Sequence, residues 1–347
     1  KPFHVMTKPG GPACNLDCSY CYYLEKAELY PEKNEFWMSN DTLETFVRQY
    51  IDAQPGQNVT FAWQGGEPTL LGIEFFQEAI EYQEKYAPKG IRVQNTLQTN
   101  GTLLDGEWGE FLAENDFLVG ISIDGPEDLH NRFRRTRAGG DTFEKVMNGL
   151  AILKDYDVNY NVLCVVNDVN SEHPLEVYHF LKEQDAEWIQ FIPLVEPSPT
   201  KEYNDKVGTD YGRQGNSCEP EPDNKESSIS NWVVKRRNLA PVSDPVYREI
   251  YERAREASVS VRSVDPIQYG RFMCRIFDDW IRNDVGSISV QLFDQLLDIR
   301  FLNQASLCVF SETCGTQLAL EHNGDVYACD HFVDPGFERG NIHETHL

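Results

Sequence analysis

Six short β-prone runs, each separated from the next by enough chain for a helix, limit what this sequence can fold into more than any other feature. They are Phe3–Met6, Val59–Trp63, Ile91–Thr99, Phe117–Ile123, Tyr160–Val166 and Trp188–Pro193. Between them Leu43, Phe46, Val47, Tyr50 and Ile51 recur at helical spacing, as do Phe143, Val146, Met147, Leu150 and Leu153. Ser39 and Asp41 precede the first stripe and Asp141 the second, where side-chain oxygens cap helix N-termini. Strands joined through crossovers pair in parallel, because a parallel neighbour cannot be reached by a tight turn. The expectation is an α/β chain whose parallel sheet forms a barrel or partial barrel of (β/α)6 type. The pattern alone leaves an open doubly wound sheet as the alternative.

Residues 197–241 break the alternation. Pro197, Pro199, Pro220, Pro222 and Pro241 punctuate a polar stretch without apolar period, which reads as a flexible insertion or linker with no role for its Cys218. Helical patterns resume at Val246–Ala257 and Pro266–Asn283; in the second, Tyr269, Met273, Ile276, Phe277 and Trp280 share a face. The run Leu318–Ala328 reads as a hairpin, with Asn323-Gly324 as a two-residue turn at positive φ. The expected division is a barrel over 1–196, the linker over 197–241, and helices plus a second module over 242–347.

The formal charge is −25, from 56 acidic and 31 basic residues. Such a surface repels phosphate backbones and anionic lipid, so neither nucleic acid nor membrane is an expected partner. No apolar run approaches the ~20 residues that span a bilayer, and the N-terminus lacks the apolar region of a signal peptide. A cytoplasmic protein is expected. Of its nine cysteines, Cys164 lies in an apolar strand and Cys274 on a helical stripe, both read as small core hydrophobes. Six others form two groups at opposite ends of the chain, a distribution that suits metal or redox chemistry better than disulfides.

Cys14-Asn-Leu-Asp-Cys18-Ser-Tyr-Cys21 places three thiols just after the first strand. Thiolates suit zinc and iron–sulfur clusters. Structural zinc takes four protein ligands, and no fourth is near. Three thiolates on a 4Fe–4S cluster leave one iron open to a small chelating ligand.

This C-x-x-x-C-x-x-C, with Tyr20 before its last cysteine, resembles the signature of the radical S-adenosylmethionine (SAM) superfamily, which carries it on the loop after strand one of a (β/α)6 partial barrel. Gln64-Gly-Gly-Glu-Pro68 after strand two resembles the family's GGEP motif, and the resemblance implies that Gly66 and Glu67 meet the cofactor's methionine amine. It further implies Ser122 and Arg134 at the cofactor's ribose and carboxylate, and the backbone of Val195 at its adenine. Leu97-Gln-Thr-Asn-Gly101 ends strand three with polar residues that suit the floor of a site.

Cys308, Cys314 and Cys329 make the second group, with Asp330 directly after. Spacing alone permits zinc, iron–sulfur or nothing. Beside the first motif, the group resembles the start of a SPASM domain, which carries auxiliary iron–sulfur clusters in peptide-modifying radical enzymes. QGGEPTL, LQTNGTL, FLVGISIDGP and VYACDHFV extend the likeness to the anaerobic sulfatase-maturating enzymes. These are implied to oxidise a cysteine or serine within a C/S-x-P/A-x-R segment of a sulfatase to 3-oxoalanine (formylglycine). Asp330 is then implied as the base, and ferredoxin or flavodoxin as the electron donor. The family's further cysteines are missing before Leu347, and the chain begins with Lys1, so a fragment is expected. A SPASM-type peptide maturase that forms thioethers or crosslinks is the alternative. A zinc-binding module without catalysis is a second.

Overall fold

The computed structural model describes residues 2–30, 36–196, 259–260, 262–313 and 315–347. The segment 197–241 with its Cys218, the helical pattern Val246–Ala257 and Cys314 lie outside the described residues.

Each expected strand forms, within a residue or two of its expected ends. The first half runs β1 (His4–Lys8), α1 (Asn40–Ala53), β2 (Asn58–Trp63), α2 (Ile73–Tyr86), β3 (Arg92–Thr99), α3 (Gly106–Glu114), β4 (Leu118–Ser122), a one-turn α4 (Glu127–His130), α5 (Phe143–Asp155), β5 (Tyr160–Val166), α6 (Pro174–Glu183) and β6 (Trp188–Pro193). After the undescribed stretch come α7 (Pro266–Asn283), β7 (Ser289–Val290), α8 (Gln291–Leu302), β8 (Gln317–Glu321), β9 (Asp325–Tyr327) and β10 (Glu338–Asn341). The described strands make one sheet in the order β10-β9-β8-β1-β2-β3-β4-β5-β6-β7.

Strands β1 to β6 are neighbours in chain order and parallel throughout. A doubly wound sheet reverses its order at a switch point; this one never does. Crossovers of one hand put successive helices on the same face of such a sheet, and this one forms an unclosed, partial barrel. Between α1 and the sheet, Phe46, Tyr50, Phe61 and Trp63 are buried in contact with one another, each contributing about 1.5–3 kcal/mol by burial.

Helix starts follow the sequence in part. Ser39 caps α1 by accepting from Thr42 N at 3.1 Å. Asp141 does not cap α5. That helix starts after Thr142 without a side-chain cap, and Asp141 pairs with Arg135 instead. Cys164 is fully buried, as expected, but Cys274 is exposed. It sits two residues from both Phe272 and Ile276, on the face of α7 opposite the side chains that pack.

The tail hairpin forms, though with a different turn. Gly324 has φ +90° while Asn323 keeps a negative φ, and Gly324 N donates to Glu321 O at 3.0 Å. This is a three-residue loop closed by one left-handed glycine. The hairpin also joins the barrel, since β8 pairs in parallel with β1 from His4↔Gln317 to Lys8↔Glu321. The strands of the tail thus continue the sheet of the barrel.

Candidate active site

The loop after β1 carries Cys14, Cys18 and Cys21, and backbone hydrogen bonds clamp it from two sides. On one side Gly66 N and Glu67 N donate to Gly11 O and Ala13 O, each at 2.8 Å. On the other, Asp17 N and Ser19 N donate to Arg135 O at 2.8 Å and Phe133 O at 3.1 Å. Gly66 is required by contact: a Cβ there would lie 2.0 Å from Ala13 O. The loop after β2 can therefore approach the cysteine loop only through a residue without a side chain.

Glu67 is 1% exposed and spends its carboxylate inside the protein. Oε1 accepts from Thr69 N, Thr69 Oγ1 and Thr99 Oγ1, and Oε2 from Asn100 N at 2.7 Å. Burial raises its pKa while these donors oppose the rise. Its side chain ties the β2 loop to the tip of β3. From that tip Asn100 Nδ2 donates to Asn15 Oδ1 at 2.9 Å and approaches Cys14 Sγ at 3.9 Å.

Burial pushes the thiols of Cys14 and Cys18 up to about 12, against Leu16 N at the first and the Arg134 charge at the second. The three also repel as thiolates: Cys14 feels Cys21, and Cys18 feels both others. Thiolates this dry and this close need a cation to balance them. Among the described residues no three His, Cys, Asp or Glu side chains are arranged to hold a single metal ion. A polynuclear cluster sets its thiolates farther apart than one ion does.

Beside this loop, at the tip of β4, Asp124 is fully buried and organises four elements. It accepts from Tyr20 Oη, from Arg134 Nε at 2.9 Å and Nη2 at 3.2 Å, and from Val165 N at 3.0 Å. The Arg134 guanidinium lies 5.6 Å from the centre of the Tyr20 ring. Asp124 N in turn donates to Nδ1 of buried His130 at 3.4 Å, whose pKa burial and Arg134 draw down to about 3. Ser122 stands next to this network and accepts from Gln98 Nε2 at 3.2 Å. Val195, past β6, is 68% exposed.

The tail reaches the same ground through β8. Cys329 is half-buried, and Asp330 opens a short 3-10 turn, Asp330–Phe332. Tyr22 Oη donates to Asp330 Oδ2 at 3.4 Å. Its pKa is raised by desolvation of the hydroxyl and by the charges of Asp330, Cys21 and Cys329. One tyrosine thus marks where the first cysteine loop meets the second group. Cys21 packs against Tyr23, Ala319, Tyr327 and Val333. Cys308 lies exposed on a separate turn, and of the second group Cys329 is the member next to Asp330 at this junction.

With this geometry in place, comparison with known proteins is specific. Residues 9–181 match the radical SAM superfamily. Over its full length the chain is 40% identical to a serine-type anaerobic sulfatase-maturating enzyme of Bacteroides thetaiotaomicron, covering 74% of that protein. The chain belongs to the radical SAM sulfatase-maturating enzymes. It is also 33% identical, over 99% of its length and 78% of the relative's, to a cysteine-type anaerobic sulfatase-maturating enzyme of Clostridium perfringens. The solved structure of native anSMEcpe with bound AdoMet and Cp18Cys peptide superposes with a TM-score of 0.76 at 32% identity, over 100% of this chain and 79% of that one.

The radical SAM family is one of enzymes that use SAM with an iron–sulfur cluster, and the residues present fit such a cluster. The donors are three soft sulfurs gathered on one loop, and Leu16 N donates to Cys14 Sγ at 3.4 Å, a contact that favours the thiolate. No helix among the described residues is long and apolar enough to cross a membrane.

Sequence reasoning left Asp124 unassigned and did not see Lys8 or Tyr22. A carboxylate at a strand tip, followed by Arg-Phe-Arg-Arg, was a usable signal for the first. Nothing local marks the other two.

Proposed function

We propose that this enzyme oxidises one cysteine or serine side chain of a sulfatase to 3-oxoalanine, and that Asp330 is the base. The observation that carries the reading is the meeting of Asp330, Cys329 and Cys21 around Tyr22, which sets a proton acceptor beside the radical-generating loop. Cys14, Cys18 and Cys21 hold the 4Fe–4S cluster that binds SAM. Gly66 brings the β2 loop to that cluster, with Glu67 as its internal brace. Tyr20, Ser122, Arg134 and the backbone at Val195 line the cofactor's remaining length, with Asp124 fixing Tyr20 and Arg134. Cys308, Cys314 and Cys329 contribute to an auxiliary cluster.

A cluster held by Cys14, Cys18 and Cys21 would reduce bound SAM and so supply a 5′-deoxyadenosyl radical able to remove a hydrogen atom from a substrate β-carbon. Asp330 accepts the thiol or hydroxyl proton. Closing the carbon–heteroatom double bond requires one further electron to leave, which a cluster held by Cys308, Cys314 and Cys329 would accept; from cysteine the resulting C=S would be hydrolysed by water to the aldehyde with release of hydrogen sulfide. The substrate is an extended C/S-x-P/A-x-R segment. The partner that reduces the first cluster is a ferredoxin or flavodoxin, and the work is done in the cytoplasm.

The test is anaerobic reconstitution with a panel of such peptides, following 5′-deoxyadenosine and peptide mass. Conversion of the target residue to an aldehyde is expected. A thioether or crosslink in its place would transfer the enzyme to the peptide-crosslinking class, and zinc without iron or sulfide would end the enzymatic reading.

A further inference from the structure

Lys8, the last residue of β1, is 1% exposed. An ammonium group this deep ordinarily sits against a carboxylate, because an unpaired buried charge is costly. No ion pair among the described residues involves Lys8. Its Nζ donates to Gln64 Oε1 at 3.3 Å and lies 4.4 Å from the centre of the Tyr23 ring. Glu321, its cross-strand partner in the β1–β8 register, is also fully buried but is bonded to Tyr23 Oη. Gln64 is half-buried at the edge of the site, while Lys8 stands behind it. Burial lowers the pKa of Lys8, and the charges of Asp330, Glu321 and Cys21 oppose that fall. The Tyr23 ring beneath Lys8 lies 5.7 Å from the ring of Tyr22, whose hydroxyl is bonded to Asp330, so a single layer of tyrosine side chains separates the ammonium from the proposed base.

We propose that Lys8 is a positioning residue of the oxidation: a fixed positive charge at the seam of β1 and β8 that holds Gln64 and Tyr23 in place and steadies the negative charge that arises beside Asp330. This rests on the function proposed above. Once the heteroatom has given its proton to Asp330 and before the last electron has left, the substrate side chain is anionic. A charge built into the fold needs no reorganisation to stabilise that anion. The polarisable face of Tyr23 and the amide of Gln64 keep the ammonium in place without neutralising it. A salt bridge would cancel the field that the reaction uses.

The test compares the wild type with Lys8→Met, Lys8→Arg and the double variant Lys8→Met/Glu321→Gln, which removes the buried acid together with the lysine. Each reconstituted enzyme is measured for oxidised peptide per 5′-deoxyadenosine, and for the reduction potential of the first cluster by EPR-monitored titration. Lys8→Met is expected to keep splitting SAM while the product ratio falls about tenfold or more, and its cluster potential moves negative. Lys8→Arg restores most of the ratio. If Lys8→Met does not fold, the double variant must show the same uncoupling. An unchanged ratio and potential in whichever of the two folds overturns the proposal. Wild-type enzyme that yields no aldehyde would refute the function instead, and the potential, measured without substrate, still reports on Lys8.

Discussion

Replacing Gly66 with alanine tests the claim that two loops build the site by backbone contact. The added Cβ would sit 2.0 Å from Ala13 O and 2.5 Å from Ala13 C. Neither neighbour is the end of a flexible side chain, so one loop must withdraw. Withdrawal breaks Gly66 N→Gly11 O and Glu67 N→Ala13 O, both 2.8 Å. Two such bonds contribute about 0.5–1.5 kcal/mol each, and forced overpacking costs about 1–3 kcal/mol. The expected loss is roughly 2–6 kcal/mol, a large part of the 5–15 kcal/mol that ordinarily holds a protein folded. The same movement carries Cys14 away from Cys18 and Cys21, so iron and sulfide per chain should fall with stability. Gly56 is the control: nothing lies within 4 Å of its Cβ position, and Gly56→Ala should stay within about 0.5 kcal/mol of wild type. Denaturant unfolding and iron–sulfide analysis after anaerobic reconstitution measure both effects. Gly66→Ala matching Gly56→Ala in both would refute the contact argument.

Asp330→Asn should still form 5′-deoxyadenosine but yield little aldehyde; product at the wild-type level in the peptide assay would remove Asp330 as base. Asp124→Asn leaves the buried Arg134 guanidinium uncompensated, and urea unfolding should register a loss of about 3–5 kcal/mol. His130 has a folded pKa of about 3 against 6.5 in its ordinary state, so the unfolded chain binds a proton between those values that the folded chain refuses. Stability is therefore present above about pH 6.5 and lost as the pH falls, at up to about 1.4 kcal/mol per unit. His130→Gln should flatten that part of the stability–pH curve relative to wild type, and parallel curves would count against it. Gly270 sits inside α7 with open space around it, so Gly270→Ala should raise the unfolding free energy by about 0.5–1 kcal/mol.

What the chain encodes locally could be read without coordinates. Apolar side chains at period two and period 3.6 place strands and helices because they describe one face of one element, and that face must be buried wherever the element goes. The spacing of Cys14, Cys18 and Cys21 is local in the same sense, since three ligands on one loop need no distant partner to be recognised. Caps and turns depend on neighbours as well as on the local run: Asp141 pairs with Arg135, and Asn323 keeps an ordinary φ because Gly324 closes the loop alone.

The tertiary structure alone decided which distant groups meet. Tyr22 and Asp330 touch across 308 residues, Lys8 faces Glu321 across the β1–β8 pair, and Arg134 turns inward onto Asp124 instead of joining its neighbouring arginines at the surface. No periodicity predicts these contacts, because strand pairing between ends of a chain is chosen by what the whole sheet buries. Cys274 failed for a local reason instead: Met273, Ile276 and Trp280 of the expected stripe are buried, and Cys274 lies off it on the exposed side of the helix. Spacing grouped the thiols and the resemblance of the motifs named their chemistry; the seam between β1 and β8 brought its parts within reach of one another.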